Sequence, residues 1–249
     1  MNLRTHPLAV DCACVIHGDY YDWLYVERLY NMLQVNSSRH INLHVYTEEH
    51  RDVPSYMIKH TLTEWPNIAG PTRSWWYKMQ MFNSEHFSGQ LFYLDLDTVI
   101  VGNIDWIWDL DATQFHAIHD FRRLWKPSWT GINSSLMLWD TEKYHWIWET
   151  FCNKDINALI KSFHGDQDFL SKLVVGTPEF SYLDNDLIKS WRWQANNGGL
   201  NMKTRQYHKP GTGTVIEPGT SFLVFHGRPK PHDIAEPIIQ QCWQIKKIV

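Results

Sequence analysis

Residues 91–97, Leu-Phe-Tyr-Leu-Asp-Leu-Asp, constrain the fold of this chain more than any other segment. Four consecutive apolar residues are typical of a strand that is buried on both faces, as in the centre of a parallel sheet. Asp95 and Asp97 follow this run, one residue apart. On an extended backbone alternate side chains point to one side, so the two carboxylates are expected to be neighbours. Because neighbouring carboxylates repel each other unless a cation joins them, this pattern predicts a divalent cation shared with a phosphorylated ligand.

The composition excludes several classes of protein. Of the 249 residues, 43% are hydrophobic, which is enough to bury a full core. The net charge of −4 gives no sign of a nucleic-acid or membrane partner, and no apolar run is long enough to span a membrane. The four cysteines, at positions 12, 14, 152 and 242, form no zinc pattern and are typical of buried thiols in a reducing compartment. Because no signal-peptide pattern is found, the chain is expected in the cytoplasm.

Strand-like and helix-like segments alternate along the sequence. Apolar strands are predicted at residues 11–17, 41–46, 91–95, 115–119, 134–139 and 224–226. Helices are predicted at residues 21–33, 75–87, 141–152 and 166–173. No repeat or linker interrupts this order, so residues 1–249 are predicted to form one domain. Such alternation predicts an α/β fold with a single, mainly parallel sheet flanked by helices on both faces.

Polar residues end two of the predicted strands. In an open α/β sheet, ligands bind beyond the carboxyl ends of the strands, where Asp95, Asp97 and His226 are placed. Two carboxylates, an imidazole and phosphate oxygens mix hard and borderline ligands, which suits Mn²⁺ somewhat better than Mg²⁺. Two other interpretations stay open. The aspartates could cap the strand or form ion pairs at its end, and His226 could be a half-buried histidine with its own hydrogen-bond partner.

Four segments of the chain form a pattern in a fixed order. The first segment runs from Lys78 to Asp105 and contains the two aspartates. The other three are Ile132-Asn133-Ser134-Ser135-Leu-Met-Leu, Gly165-Asp166-Gln167 and His226-Gly227-Arg-Pro-Lys230-Pro231. Together they resemble glycosyltransferase family 8, which includes glycogenin-like and galactosyltransferase-like enzymes of GT-A fold. The resemblance spans about residues 10–232 and implies one GT-A-type, Rossmann-like domain.

The chain departs from the family pattern at three positions. Ser135 stands where the family has glycine, and His226 directly precedes Gly227 although two residues commonly separate the two. His232, after Pro231, stands where the family has tryptophan. The resemblance implies a histidine as the third metal ligand, and the shifted spacing leaves His226 and His232 as the candidates.

The resemblance implies a retaining transferase that moves a hexose from a nucleoside diphosphate, expected to be UDP, to an unidentified acceptor. A bound cation would stabilise the departing diphosphate as a Lewis acid, and Lys230 would add a positive charge to the same phosphates. Asp166 and Gln167 are the predicted catalytic residues, which line the donor sugar and face its developing positive charge. Because no carboxylate is placed as a nucleophile, we expect a front-face displacement in which the leaving phosphate oxygen takes the proton of the acceptor.

The resemblance also implies a set of residues that binds the nucleotide and its sugar. Tyr21 is expected to stack on uracil, and Lys78 to lie on the nucleotide side of the metal. The full set is Val15, His17, Tyr21, Lys78, Leu96, Asn133, Ser134, Gly227 and Lys230. Ordinary roles stay open as well: core packing for the residues near the first strand, solvated charges for the two lysines, and a helix N-cap for Asp166.

Two other functions compete with this hypothesis. Residues 93–99 also resemble the nucleophile strand of haloacid-dehalogenase phosphatases, with Asp95 as nucleophile, Asp97 as acid/base, and Asp166 with Asp168 as an acidic metal loop. Against this, the usual glycine after the second aspartate is missing and the motif comes late in the chain. The second alternative is a non-catalytic protein that binds sugar nucleotides or glycans, which the departures from the family pattern motivate.

The 14 tryptophans are attributed mainly to core packing, because tryptophan is a large hydrophobe. Some of them could offer flat faces to sugar rings. The acceptor is expected near residues 195–221, an irregular segment rich in Gly, Asn and Thr that is predicted to cover a pocket. A second expected location is the aromatic turn around Trp106, Trp108, Trp125 and Trp129.

Overall fold

The computed structural model of the protein describes residues 9–66, 68, 74–196, 200–201, 206–207 and 213–244. The strands of this part are β1 Ala9–Val15, β2 His40–Thr47, β3 Ile58–Thr61, β4 Gln90–Leu94, β5 Thr98–Ile100, β6 Phe115–His119, β7 Ile132–Asp140, β8 Phe180–Tyr182, β9 Ile188–Ser190, β10 Leu200–Asn201, β11 Gln206–Tyr207 and β12 Phe222–Val224. Its α-helices are α1 Leu24–Asn36, α2 His145–Cys152, α3 Ile156–Ser162, α4 Asp166–Val174 and α5 Pro237–Trp243.

A seven-stranded sheet in the order β3-β2-β1-β4-β7-β6-β8 forms the centre of the fold. Strands β1 to β4 pair in parallel, and so do β6 and β8. Only β7 runs against its two neighbours, β4 and β6. The α/β fold with a mainly parallel sheet, predicted from the sequence, is therefore confirmed, whereas its organisation as one domain stays a prediction.

The central strands are buried on both faces, as the apolar run before the aspartates predicts. In β4, Phe92 and Leu94 pack into one hydrophobic cluster, and Leu91 and Tyr93 pack into the other. Helices α1 and α5 cover the first cluster, while α2, α4 and a 3₁₀ helix at Ser74–Phe82 cover the second. None of the helices in the described part of the chain is long and apolar enough to cross a membrane.

A small second sheet, in the order β5-β12-β9, brings the C-terminal part of the chain to the paired aspartates. Strand β5 starts at Thr98, directly after Asp97, and runs antiparallel to β12, with Thr98 opposite Val224. Gly102 follows β5 at a close crossing, because a Cβ added there would lie 2.6 Å from the carbonyl oxygen of Thr220. This pairing places the residues that follow β12 beside the aspartates.

Several elements differ from the sequence-based predictions. The predicted helix at 75–87 is a 3₁₀ helix at Ser74–Phe82, and the predicted helix at 141–152 starts only at His145. Strands β3, β8 and β9 were not predicted, because three or four residues give too short an alternation to detect. Much of the predicted irregular segment 195–221 lies outside the described residues.

Candidate active site

A cavity of about 480 Å³ lies at the carboxyl ends of β1 and β4, where the sequence analysis expects a ligand. Apart from the alternative metal ligand His232, every residue predicted for the metal, the nucleotide and the sugar lines it. These residues come from strands, turns and helix starts far apart in sequence. These residues are Val15, His17, Tyr21, Lys78, Asp95, Leu96, Asp97, Asn133, Ser134, Asp166, Gln167, His226, Gly227 and Lys230. The structure thus brings the whole set together, while the role of each residue stays a prediction.

A tight turn, not an extended strand, brings Asp95 and Asp97 to the cavity. Strand β4 ends at Leu94, and the amide of Thr98 donates to the carbonyl oxygen of Asp95 at 3.1 Å. The amide of Asp95 donates to the carbonyl oxygen of Ser135 in β7 at 2.8 Å, which fixes the start of the turn. The expectation that strand alternation places the two carboxylates side by side is therefore wrong, because the backbone leaves the strand before the first of them.

Asp95 is held by an ammonium group and a phenol. Lys78 Nζ lies 2.8 Å from Asp95 Oδ1, and the Tyr93 hydroxyl donates to the same oxygen. Burial would raise the pKa of Asp95, but the charge of Lys78 and these hydrogen bonds outweigh it and lower the pKa. Asp95 is thus stabilised as a carboxylate.

Asp97 has its own lysine. Lys230 Nζ forms an ion pair with Asp97 Oδ2, and the Tyr21 hydroxyl donates to that oxygen at 2.9 Å. Burial raises the pKa of Asp97 above its usual value, which the charge of Lys230 opposes and the charge of Asp95 reinforces. Both aspartates therefore form ion pairs at the strand end, one of the arrangements that the sequence left open.

Asp166 adds a third carboxylate to the network. Helix α4 begins at Asp166 with Gly165 as its N-cap residue, so Asp166 is not the N-cap. The Ser134 hydroxyl donates to Asp166 Oδ2 at 2.6 Å, and Lys78 Nζ lies 3.4 Å from the same oxygen. Burial raises the pKa of Asp166. Burial alone would lower the pKa of Lys78, but the negative charges of Asp166 and Asp95 outweigh it and raise that pKa. Lys78 is only 6% exposed and hence not a solvated surface charge.

The two aspartates fit a divalent cation as oxygen ligands. The bonds from Lys78 and Tyr93 go to Oδ1 of Asp95, and those from Lys230 and Tyr21 go to Oδ2 of Asp97. Each carboxylate keeps a second oxygen that these four groups do not use, and carboxylate oxygens suit Mn²⁺ and Mg²⁺. Within the described ranges, no group of three or more His, Cys, Asp and Glu side chains has an arrangement that could hold a metal.

The two candidate histidine ligands lie in different surroundings. His226 lines the cavity, but its Nε2 lies 2.7 Å from the Ser190 hydroxyl and its ring packs on Phe121. Burial, with help from the charges of Arg192 and Lys230, lowers the pKa of His226 to about 3, so the ring is neutral. His232 does not line the cavity and contacts Tyr25 and Asp233 instead. Metal ligation by His226 stays a prediction.

The turn after His226 requires glycine. Gly227 has a φ of +74°, which residues with a Cβ rarely adopt. Gly227 begins a bend over residues 227–229, and the side chains of His226 and Lys230, on either side of it, both reach the cavity.

The residues predicted for the nucleobase also have partners within the protein. His17 stacks on Tyr77 with ring centroids 4.2 Å apart, and its Nε2 lies 3.1 Å from Glu64 Oε1. The ring of Tyr21 packs on Tyr20 and Tyr25, while its hydroxyl is bound to Asp97. The hydroxyl of Tyr21 thus contacts a predicted metal ligand, and the stacking of its ring on uracil stays a prediction.

The sequence analysis missed several residues of the cavity wall. They are Tyr20, Ser74, Trp75, Tyr93 and His164. Helical spacing could have indicated Trp75, which precedes Lys78 by three residues and so shares its face of the 3₁₀ helix. The hydroxyl of a buried strand tyrosine needs a partner, which could have indicated Tyr93.

The tryptophans proposed for the acceptor lie away from this cavity. Trp106, Trp108, Trp125 and Trp129 do not line it, and the indole NH of Trp106 donates to the Ser221 hydroxyl. The fully buried Trp76, Trp139 and Trp243 bear out the packing role expected for most tryptophans.

Comparisons with solved structures identify the fold. The chain matches the galactosyltransferase LgtC in complex with donor and acceptor sugar analogues, with a TM-score of 0.59, 14% identity and 89% coverage of both chains. An active-site mutant of LgtC matches with a TM-score of 0.67, 13% identity and 95% coverage of both chains. The glycosyltransferase GlyE of Streptococcus pneumoniae TIGR4 matches with a TM-score of 0.62 and 14% identity, over 94% of this chain and 60% of GlyE.

The class defined by these comparisons is that of the GT-A fold, to which the seven-stranded sheet and its flanking helices conform. No protein-family model and no curated protein matches the sequence. The identities of 13–14% show the fold, and the activity has to be argued from the cavity.

Proposed function

We propose that this chain is a metal-dependent glycosyltransferase that moves a hexose from a UDP-sugar to an acceptor hydroxyl with retention of configuration. One observation carries the proposal: every residue predicted for a sugar-nucleotide site lines a single cavity, in a fold shared with solved glycosyltransferases. LgtC has been crystallised with analogues of both a donor and an acceptor sugar, which supports a two-substrate reaction in this fold. A cytoplasmic location accompanies the proposal as a prediction.

Asp95 and Asp97 are the proposed ligands of Mn²⁺. His226 is the proposed third ligand and would have to approach them, because the three side chains do not form a metal-binding group in the described part of the chain. His226 is favoured over His232 because it lines the cavity and its neutral ring keeps a lone pair. A bound cation would supply Lewis-acid stabilisation of the departing diphosphate. Lys230 would contact the same phosphates as a compact positive charge.

The donor sugar is placed against Asp166 and Gln167 at the start of α4. Lys78 lies between Asp166 and Asp95 and so fixes the distance between the sugar side and the phosphate side of the cavity. In the proposed front-face reaction, the bond from the anomeric carbon to the phosphate oxygen breaks and a bond to the acceptor oxygen forms. The acceptor's proton goes to the leaving phosphate oxygen, and the negative charge of Asp166 faces the oxocarbenium-like carbon.

One observation favours the transferase over the phosphatase. Asp168, which the phosphatase hypothesis requires beside Asp95, does not line the cavity. The non-catalytic binding protein stays the alternative, and turnover distinguishes the two.

Hydrolysis of the donor tests the proposal without knowledge of the acceptor. A panel of UDP-, GDP- and ADP-sugars is incubated with the protein and Mn²⁺, Mg²⁺ or EDTA, and released nucleotide is measured. We expect hydrolysis of a UDP-hexose with Mn²⁺, less with Mg²⁺ and none in EDTA. Nucleotide binding without turnover would support the binding protein, and Mg²⁺-dependent release of phosphate from p-nitrophenyl phosphate would support the phosphatase.

A further inference from the structure

Two buried lysines occupy the carboxylates that the proposed function assigns to a metal. Lys78 Nζ lies 2.8 Å from Asp95 Oδ1, and Lys230 Nζ is paired with Asp97 Oδ2. Lys78 is 6% exposed and Lys230 is 7% exposed, so water screens neither pair strongly. A divalent cation and the lysines therefore compete for the same negative charges.

The two lysines are not equally committed to their aspartates. Besides Asp95, Lys78 contacts Asp166 Oδ2 at 3.4 Å and the Ser134 hydroxyl at 3.2 Å. Lys78 therefore keeps Asp166 and Ser134 as partners when Asp95 binds a cation. For Lys230, Asp97 is the one carboxylate within ion-pair distance in the part of the chain that the structure describes. Its Nζ also lies 3.4 Å from the carbonyl oxygen of Phe225 and 5.8 Å from the centre of the Tyr21 ring, and neither of these groups carries a formal charge. Lys230 is the lysine that a cation at Asp97 would leave without a counter-charge.

The charge of the cavity favours simultaneous binding of metal and diphosphate. Three carboxylates, of Asp95, Asp97 and Asp166, face two ammonium groups, which leaves a formal charge of minus one. A divalent cation alone would reverse the sign of this charge, and a diphosphate alone would make the cavity more negative. When both ligands are bound, their charges nearly cancel, so the net charge of the cavity stays close to its starting value.

We propose that Lys230 exchanges partners when the donor binds: it leaves Asp97 for the diphosphate, and Asp97 then accepts the divalent cation. This inference rests on the proposed function and adds the coupling between its two ligands. The free protein holds the metal weakly because the charge of Lys230 neutralises that of Asp97, and the nucleotide draws this competing charge away. By linkage, the metal tightens nucleotide binding by the same factor by which the nucleotide tightens metal binding.

Mn²⁺ binding, measured by the electron paramagnetic resonance signal of free Mn²⁺ with and without UDP at about pH 8, tests the exchange once the Mn²⁺ that UDP binds in protein-free solution has been subtracted. For the natural sequence we expect UDP to tighten Mn²⁺ binding at least about tenfold. Lys230→Met should bind Mn²⁺ alone about tenfold more tightly than the natural sequence, because the competing charge is gone, and should show little further gain from UDP. Lys230→Arg keeps the charge and should keep weak binding of Mn²⁺ alone.

Lys189→Met is the matched control. Lys189 is also buried and paired with two carboxylates, Asp186 and Glu217, but it does not line the cavity. We expect this variant to bind Mn²⁺ and UDP as the natural sequence does. A Lys230→Met protein that binds Mn²⁺ alone no more tightly than the natural sequence would overturn the exchange.

If Lys230→Met does not fold, measurements on the protein with the natural sequence still test the exchange. Binding of both Mn²⁺ and UDP with no coupling between them would overturn the exchange and leave the proposed function intact. If Mn²⁺ together with UDP, GDP or ADP does not bind at all, the proposed function itself fails. A coupling of tenfold or more supports both.

Discussion

The ends of β4 and β12 meet at the same cavity but differ in their chemistry. After β4, Asp95 and Asp97 lie in a network of opposite charges with Lys78 and Lys230. After β12, His226 lies between aromatic rings and is bound to a serine hydroxyl. In both cases polar residues follow an apolar strand closely, so the strand ends look alike in the sequence. The difference comes from the side chains that pack against each end. Lysines pair with the aspartates after β4, whereas the rings of Phe121 and Trp193 pack against His226 after β12.

The largest effect is expected at the end of β4. Asp97→Asn keeps the size of the side chain and removes the negative charge, so we expect donor hydrolysis to fall at least about a thousandfold. Asp109→Asn, at an exposed carboxylate outside the cavity, is the control and should keep full activity. The measurement is released UDP with Mn²⁺. Turnover of Asp97→Asn at the rate of the control would rule out the metal assignment.

The next largest effect concerns stability at the same strand end. Lys78→Met leaves the buried carboxylates of Asp95 and Asp166 without a counter-charge, and the free energy of unfolding should fall by about 3–5 kcal/mol. Lys189→Met should lose only about 1 kcal/mol or less, because the carboxylates that pair with Lys189 are exposed. Urea unfolding measures both. Equal losses would show that burial does not distinguish the two sets of ion pairs.

After β12, His226 should make the folded protein less stable in acid. The pKa of His226 is about 3 in the folded protein, against an ordinary value of 6.5. Because the unfolded chain takes up the proton first, stability is complete above pH 6.5 and is lost as the pH falls toward 3. Between pH 6.5 and about 5 this loss should reach about 1.5 kcal/mol.

His226→Phe removes this titration and keeps a ring against Phe121. In EDTA, the unfolding free energy of His226→Phe should therefore vary less with pH than that of the natural sequence. The difference should be about 1.5 kcal/mol between pH 6.5 and about 5. Urea unfolding at several pH values checks the difference. An identical pH dependence in the two proteins would mean that His226 is not held neutral by its surroundings.

The smallest effect separates the roles of the two strand ends in metal binding. Loss of Nε2 in His226→Phe should weaken Mn²⁺ binding in the presence of UDP by about tenfold, because two carboxylates remain as ligands. Equilibrium dialysis with MnCl₂ measures the affinity. If Mn²⁺ binds unchanged, His226 serves the fold through Ser190 and Phe121, and the metal site belongs to the end of β4 alone.

Much of the arrangement was predictable because the signals are local. The apolar run of β4 predicted a strand buried on both faces, and the order of the four motifs predicted which residues share the cavity. The partners of the charged groups were not predictable in the same way. Tyr21 and Lys230 reach Asp97 from 76 and 133 residues away in the sequence, and no local pattern encodes such a contact. The turn at Asp95 was missed because a strand and the start of a turn can share the same apolar residues.

The pairing of β5 with β12 has a consequence for the assembly of the protein. All seven strands of the central sheet are complete once Tyr182 has been made, but Lys230 comes almost fifty residues later. A chain that emerges from the ribosome in this order can build its sheet early and still leave Asp97 without a counter-charge. Under the proposed function, binding of a sugar nucleotide should therefore appear only after β12 has docked on β5 and brought Lys230 to Asp97.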